Sequence, residues 1–198
     1  PEPETAAEPS APLQTSTGRR ARLRDIAAIT LFSGMIFFFG LGSSALWDRD
    51  ETEYAQSVLE MQNADEWMIP TLDNHPFIEK PIMLFWVTRV SYLVFGANEG
   101  GARFPGALFG VLSCVAVYLI GCSLWTARTG FWSALILSTS LLFAGGHRLL
   151  LTDPFLVLFS LLSLLFYIYS RSAGRLKIVH MLISYFFIGF GVLSKGPI

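Results

Sequence analysis

The sequence predicts an all-α integral membrane protein with about five transmembrane helices and interfacial helices in a long first external loop. Two observations support this fold class. Of the 198 residues, 53% are hydrophobic and only 15% are charged, whereas about 25% of the residues are charged in an ordinary soluble domain. The apolar residues also gather into runs of roughly 20 residues, which is the length that a helix needs to cross the hydrocarbon layer.

The first element is a polar tail, 1–24, which is predicted to be disordered and cytoplasmic. Residues 1–18 are rich in Pro, Ala, Glu, Ser and Thr, a composition that buries too little apolar surface to fold. The basic run RRARLR (19–24) follows, and basic residues beside a span favour the cytoplasmic side. We expect 25–198 to be the N-terminal part of a longer multi-span domain, because the chain begins with proline and stops without a polar tail.

The membrane elements follow from hydropathy and from the positions of the basic loops. The predicted spans are 26–47, 102–124, 129–146, 153–170 and 178–194. A shorter apolar stretch, 81–97, predicts a helix that lies in the membrane interface. If the spans alternate in direction, the basic residues at 19–24 and 171–177 both fall on the cytoplasmic side. The loop 48–101 then lies on the external face, together with 147–152 and Lys195.

The external loop opens with WDRDETEYA (47–55), which carries four carboxylates in six positions: Asp48, Asp50, Glu51 and Glu53. One interpretation is structural, because an acidic residue followed three positions later by Glu has the spacing of a capping box. The helix dipole also favours acidic side chains at a helix start. A carboxylate at the membrane edge can instead act as a general base. Both interpretations predict a helix after the acidic cluster, with an amphipathic pattern that suits the membrane surface.

Three further segments place charge at the predicted membrane edge. FIEKP (77–81) carries a lysine that could hold a phosphate as a point charge or form a surface ion pair with its neighbouring glutamate. LTDPFL (151–156) contains an aspartate that could start a helix or line a cavity. LSKGPI (193–198) adds a second lysine.

In this order, DETEYA, FIEKP, LTDPFL and LSKGPI resemble the motifs of the polyprenyl-phosphate-sugar-dependent glycosyltransferases of the C-type superfamily. This group includes the protein O-mannosyltransferases and the lipid A aminoarabinose transferases, and the resemblance covers about residues 25–198. It implies an enzyme of the bacterial plasma (inner) membrane that works on the external face and inverts the anomeric carbon. The donor would be a polyprenyl-phosphate sugar (aminoarabinose, mannose or another), and the acceptor a lipid A-type lipid or a protein. The aminoarabinose transferases usually have arginine at the position of Glu53, which leaves the sugar and the acceptor open.

The resemblance also implies roles for single residues. Asp50 corresponds to the catalytic aspartate and is the expected base, with Glu51 as the second carboxylate. Lys80 would stabilise the leaving phosphate. Further candidates for binding the donor phosphate or lipid are Tyr54, Arg148 and Lys195, and candidates for supporting the cavity are Glu79 and Asp153.

No obligatory cofactor and no metal site are expected, although a divalent cation could bind among Glu79, His75 and His147. Arg89 and Arg103 are interpreted as anchors at the membrane interface. Because the family usually has many more spans, the chain alone is expected to be inactive.

A polytopic transporter, or a lipid-binding membrane protein without transferase activity, is the alternative function. A transporter predicts charges inside its spans and internally repeated halves, whereas the span interiors here are nearly uncharged. Nucleic-acid binding is not expected, because membrane topology explains the one basic run. The expected partners are therefore the donor, the acceptor and membrane lipids.

Overall fold

The computed structural model describes residues 16–46 and 48–196, so the predicted disorder of 1–15 lies outside the described residues. The described chain is almost entirely helical and contains one short β-hairpin. The helices are α1 (Ser16–Phe38), α2 (Arg49–Asn63), α3 (Met83–Phe95), α4 (Glu99–Leu124), α5 (Ala127–Thr139), α6 (Leu141–Gly146), α7 (Asp153–Ser172) and α8 (Lys177–Lys195). The hairpin pairs β1 (Thr71–Leu72) with β2 (His75–Pro76) in antiparallel register, and a 3₁₀ turn, Gly174–Leu176, precedes α8.

The prediction of an all-α integral membrane fold is confirmed. Among the described residues, three helical segments are long and apolar enough to cross a membrane: Glu99–Leu124, Asp153–Ser172 and Gly174–Lys195. They correspond to the predicted spans 102–124, 153–170 and 178–194. The predicted interfacial stretch 81–97 also forms a helix, α3, and the helix expected after the acidic cluster is α2.

The helix at the predicted span 26–47 begins earlier and ends earlier than the predicted span. Residues 16–24 are predicted to belong to the disordered tail, but they form the first turns of α1, because Arg, Ala and Leu are good helix formers that extend a helix into water. At the other end α1 stops at Phe38, and successive turns follow, such as the one closed by the hydrogen bond from Leu41 N–H to the Phe38 carbonyl. Gly40 ends the helix with a φ of 62°, the left-handed conformation that commonly follows a helix C-terminus.

The predicted span 129–146 is not one continuous helix, because it is broken into α5 and α6 at Ser140. This residue has an extended ψ of 122° and ends one helix while it begins the next. The hydroxyls of Ser138 and Thr139 bond back to carbonyls of the preceding turn. Such local bonds compete with helix continuation.

Helix α4 lies at the centre of the bundle and packs against α1, α3, α5 and α7. Where α4 crosses α5, Gly121 meets Gly130, and a Cβ on Gly121 would lie 2.5 Å from the Gly130 Cα. Small residues at such crossings allow membrane helices to approach closely. Helices α7 and α8 form the other large contact, in which the Ser184 hydroxyl donates to the Ser163 carbonyl at 2.9 Å.

The segment from α2 to α3 packs into a core that it shares with Ala102 of α4, with Leu150 and with Phe155 of α7. Its fully buried side chains include Tyr54, Val58, Leu84 and Phe85. This core fixes α2 against α3, so the start of α2 has a defined position relative to the loop that carries FIEKP.

Arg89 is predicted to be an interface anchor, but it is buried and holds the chain that follows α2. Its guanidinium donates to the Glu66 carbonyl and to the Asp65 carboxylate at 2.7 Å. It also stacks on the Trp67 ring at 3.8 Å from the ring centre. The anchor interpretation failed because these partners come from a loop more than 20 positions earlier, which hydropathy does not locate.

Candidate functional site

The acidic cluster begins with a helix cap. Asp48 has extended backbone angles, and its carboxylate accepts the N–H of Asp50 at 3.0 Å. Asp48 is therefore the N-cap of α2, which leaves the next carboxylates of the first turn available for other contacts. This matches the capping-box register that runs from Asp48 to Glu51, but the Glu51 side chain does not fold back to the cap.

Glu51 instead points into the protein and is fully buried beside Arg103. The Arg103 Nε and Nη2 atoms donate to its two carboxylate oxygens, both at 2.9 Å. The Leu150 N–H donates to the same carboxylate at 2.9 Å. Arg103 also donates to the carbonyls of Ser44 at 2.8 Å and Ala45 at 3.1 Å. This cluster joins the α1–α2 turn, the start of α2, helix α4 and the α6–α7 loop.

The interpretation of Arg103 as an interface anchor is therefore wrong. Its charge is not exposed at the interface, because it neutralises a buried carboxylate. The contacts of Glu51 favour a positioning role over direct contact with a substrate, since both of its oxygens are occupied. One signal in the sequence pointed here: an ionisable residue close inside an apolar span needs a partner. The identity of that partner, 52 residues earlier, was not visible.

Asp50 points away from that buried pair and meets Tyr54. The Tyr54 hydroxyl donates to the Asp50 Oδ2 atom at 3.2 Å. The Lys80 ammonium lies over the Tyr54 ring, 5.9 Å from its centre, within the range of a cation–π contact. The structure thus brings together three predicted site residues, namely the expected base, the expected phosphate-binding lysine and the tyrosine between them.

Charged groups surround this cluster on its outer side. Glu53 accepts a hydrogen bond from Arg49 at 2.6 Å on the exposed face of α2, and Glu79 is exposed beside them. Burial is the main cause that raises the pKa of the Tyr54 hydroxyl, and the negative charge of Asp50 raises it further. Tyr54 therefore keeps its proton over the physiological range and acts as a hydrogen-bond donor.

A second cluster joins the ends of α7 and α8. Lys195, in the last turn of α8, forms a half-exposed ion pair with Asp153 in the first turn of α7. LTDPFL and LSKGPI are therefore neighbours in space. The remaining candidate, Arg148, donates to the carbonyls of Ile36 at 2.9 Å and Phe39 at 2.7 Å. These contacts place Arg148 at the C-terminal end of α1, and its role toward a donor stays a prediction.

The possible cation ligands do not form a cluster. Within residues 16–46 and 48–196, no group of three or more His, Cys, Asp or Glu side chains is placed to hold a metal ion. His147 is buried between the Phe37 and Phe143 rings. Its Nδ1 donates to the Phe143 carbonyl at 2.8 Å, while its Nε2 has no partner in the described chain.

Comparison with known proteins adds family and fold. The sequence profile described as dolichyl-phosphate-mannose-protein mannosyltransferase matches residues 79–198. An undecaprenyl phosphate-alpha-4-amino-4-deoxy-L-arabinose arabinosyl transferase of Yersinia enterocolitica is 34% identical over 174 residues, which cover 86% of this chain and 31% of that protein. A second such transferase, from Proteus mirabilis, is 30% identical over 172 residues, which cover 85% of this chain and 31% of that protein.

Among solved structures, the chain is similar to ArnT from Cupriavidus metallidurans bound to undecaprenyl phosphate. The TM-score is 0.76 at 26% identity, and the match covers 92% of this chain and 33% of that one. The chain therefore spans about a third of the length of the relatives that it matches.

Proposed function

Because the chain belongs to the dolichyl-phosphate-mannose-protein mannosyltransferase family, we propose that the full-length protein is a membrane glycosyltransferase. Its donor is a sugar on undecaprenyl phosphate, and its first candidate sugar is 4-amino-4-deoxy-L-arabinose, the sugar in the names of the similar transferases of Yersinia enterocolitica and Proteus mirabilis. The acceptor is a lipid A-type lipid. The observation that carries the proposal is the placement of Asp50 and Lys80 around one tyrosine at the start of α2.

The proposed reaction uses these two groups at its two ends. An acceptor hydroxyl attacks the anomeric carbon, and Asp50 takes the hydroxyl proton as the new carbon–oxygen bond forms. The bond between the anomeric carbon and the phosphate oxygen breaks, and undecaprenyl phosphate leaves with the electron pair. Lys80 stabilises the negative charge on that phosphate. Attack opposite to the leaving group inverts the anomeric centre.

The other candidate residues have supporting places in this proposal. Glu51, through its ion pair with Arg103, holds the first turn of α2, and the pair Asp153–Lys195 borders the same external side of the membrane under the predicted topology. The N-terminus is cytoplasmic, and the catalytic loop 48–101 faces the outside of the inner membrane. This orientation follows from the basic residues at 19–24 and 171–177.

The proposal is tested by transfer with the purified full-length protein in lipid nanodiscs. Undecaprenyl phosphate-4-amino-4-deoxy-L-arabinose and lipid A are supplied, and mass spectrometry follows the acceptor. A parallel reaction contains undecaprenyl phosphate-mannose and a peptide acceptor, and a chelator in each reaction tests the need for a divalent cation. A sugar-sized mass gain on lipid A supports the proposal. Transfer of mannose to the peptide without any transfer to lipid A refutes this sugar and this acceptor. No transfer of either sugar refutes the activity.

Asp50→Asn is the decisive variant, and Asp48→Asn is its matched control. Both changes remove one carboxylate from the same turn, but Asn is as good an N-cap as Asp. The Asp48 variant should therefore keep the helix start and the activity, while the Asp50 variant should lose about 100-fold or more in rate. Equal activity of the two variants would exclude Asp50 as the base.

A further inference from the structure

Tyr54 is the side chain that contacts both ends of the proposed reaction centre. Its hydroxyl donates to the Asp50 carboxylate at 3.2 Å, and the face of its ring lies under the Lys80 ammonium at 5.9 Å. The side chain is only 2% exposed. It therefore has little surface to offer a donor lipid, although Tyr54 is one of the predicted donor-binding candidates.

The ring of Tyr54 is held by two phenylalanines. Its centre lies 6.3 Å from that of Phe77 and 6.2 Å from that of Phe85, which it meets edge to face. Phe77 and Phe85 contact each other at 6.1 Å, also edge to face. Phe77 belongs to the FIEKP segment and Phe85 to α3, so the three rings lock α2 to the segment that carries Lys80. Such aromatic pairs have preferred geometries that resist reorientation.

The carboxylate that Tyr54 contacts has one oxygen left for chemistry. Asp50 Oδ2 accepts the tyrosine hydroxyl, while Oδ1 accepts no hydrogen bond from the part of the chain that the structure describes. A base must present a lone pair within hydrogen-bond reach of the acceptor proton. Fixing Oδ2 orients Oδ1, and the raised pKa of the buried phenol keeps the tyrosine a donor throughout.

We propose that Tyr54 is a positioning residue with two separable parts: its hydroxyl aims the Asp50 base, and its ring face sets the place of the phosphate-binding Lys80. This inference rests on the proposed transferase function and deepens it. The acceptor-activating group and the leaving-group cation are then held at a fixed separation by one buried side chain. Small errors in such a separation reduce rates strongly.

Two substitutions separate the two parts. Tyr54→Phe keeps the ring and removes the hydroxyl, so kcat should fall about 10-fold while the donor KM stays within about twofold. Tyr54→Leu also removes the ring, so the donor KM should rise in addition. Binding of undecaprenyl phosphate alone provides a readout that needs no sugar: its Kd should be unchanged in the phenylalanine variant and weakened in the leucine variant.

Tyr92→Phe is the matched control. Tyr92 is 4% exposed in the same core as Tyr54, and its hydroxyl makes no hydrogen bond within residues 16–46 and 48–196. This variant should keep the wild-type kcat, KM and thermal midpoint.

The outcomes distinguish this inference from the proposed function. If the wild-type protein transfers sugar and Tyr54→Phe transfers it at the same kcat, the positioning role is wrong and the transferase function stands. A loss of kcat in Tyr54→Phe that follows a loss of folded protein, seen as a lowered thermal midpoint, would reduce Tyr54 to a core residue and overturn the inference. A wild-type protein that transfers no sugar overturns the function and this inference together. If Tyr54→Leu does not fold, Tyr54→Phe and its undecaprenyl phosphate Kd still decide the hydroxyl part, and a lowered kcat at unchanged Kd supports it.

Discussion

Neutralising Glu51 should destabilise the protein more than removing any other carboxylate of the acidic cluster. In Glu51→Gln, the buried guanidinium of Arg103 loses its counter-charge, and the amide cannot accept both of the hydrogen bonds that the carboxylate accepts at 2.9 Å. The Leu150 N–H competes for the one remaining oxygen. Removing one partner of a buried ion pair costs about 3–5 kcal/mol, and we expect a loss of unfolding free energy in that range.

The assay is reversible unfolding of the full-length protein in mixed micelles, followed by tryptophan fluorescence. Glu53→Gln is the control, because it breaks the exposed pair with Arg49, and exposed pairs contribute little. The double variant Glu51→Gln/Arg103→Gln removes both charges and should recover part of the loss. A single variant as stable as the Glu53 control would refute the reasoning.

The double variant also separates structure from chemistry at Glu51. If the glutamate acts only by holding the first turn of α2, a folded double variant should keep a measurable part of the transfer activity. If the double variant is folded but transfers at the background rate of Asp50→Asn, Glu51 has a direct role in the reaction. The contacts of its two oxygens favour the first result.

Three further predictions concern other parts of the chain. Asp153→Asn breaks the half-exposed pair with Lys195 and should cost less than about 1 kcal/mol of unfolding free energy. A large loss of transfer activity at unchanged stability would assign this pair to function, whereas a loss of activity that matches a loss of stability would not. Burial lowers the pKa of His147, so below a pH of about 6.5 the unfolded chain binds a proton that the native protein excludes. The contribution of His147 to the unfolding free energy is therefore fully present above that pH and is lost as the pH falls. His147→Asn should flatten the profile of thermal midpoint against pH, and an unchanged slope would contradict this. Gly121→Ala places a Cβ 2.5 Å from the backbone of α5 and should cost about 1–3 kcal/mol of unfolding free energy. The control Gly34→Ala, with no atom within 4 Å of the new Cβ, should not destabilise the protein. Equal thermal midpoints of the two variants would refute the close crossing of α4 and α5.

Hydropathy predicted the long helices α4, α7 and α8 because a span is defined by length and apolar content, and both are local properties. The helix bounds that hydropathy predicted wrongly also have local causes. In α1 the apolar composition continues past Phe38, but Gly40 ends the helix through its backbone conformation. At Ser140 the composition again continues, while hydroxyl groups bond to the backbone. A hydropathy average does not register either effect.

For the candidate site, the sequence located motifs but not the pairs that they form. The neighbourhood of Asp50 and Lys80 was expected only through the resemblance. The sequence does not reveal the partners of Arg103 and Arg89, because each residue is predicted from it only as a single charge at the interface. A charge that is costly to bury requires a partner, but the partner of Arg103 is far along the chain. Only the folded structure identifies it.

The four acidic residues of WDRDETEYA have four different surroundings, and helix geometry explains the division. Asp48 precedes the helix and caps it. Successive residues of a helix are rotated by about 100°, so adjacent carboxylates cannot face the same way. Asp50 therefore faces Tyr54, Glu51 faces Arg103 in the interior, and Glu53 faces Arg49 on the outside. The four carboxylates thus form one helix cap, one buried ion pair, one surface pair and one contact with Tyr54. Of the four, only Asp50 accepts a hydrogen bond, among the described residues, from a side chain that also lies against Lys80, so its surroundings favour Asp50 as the candidate base.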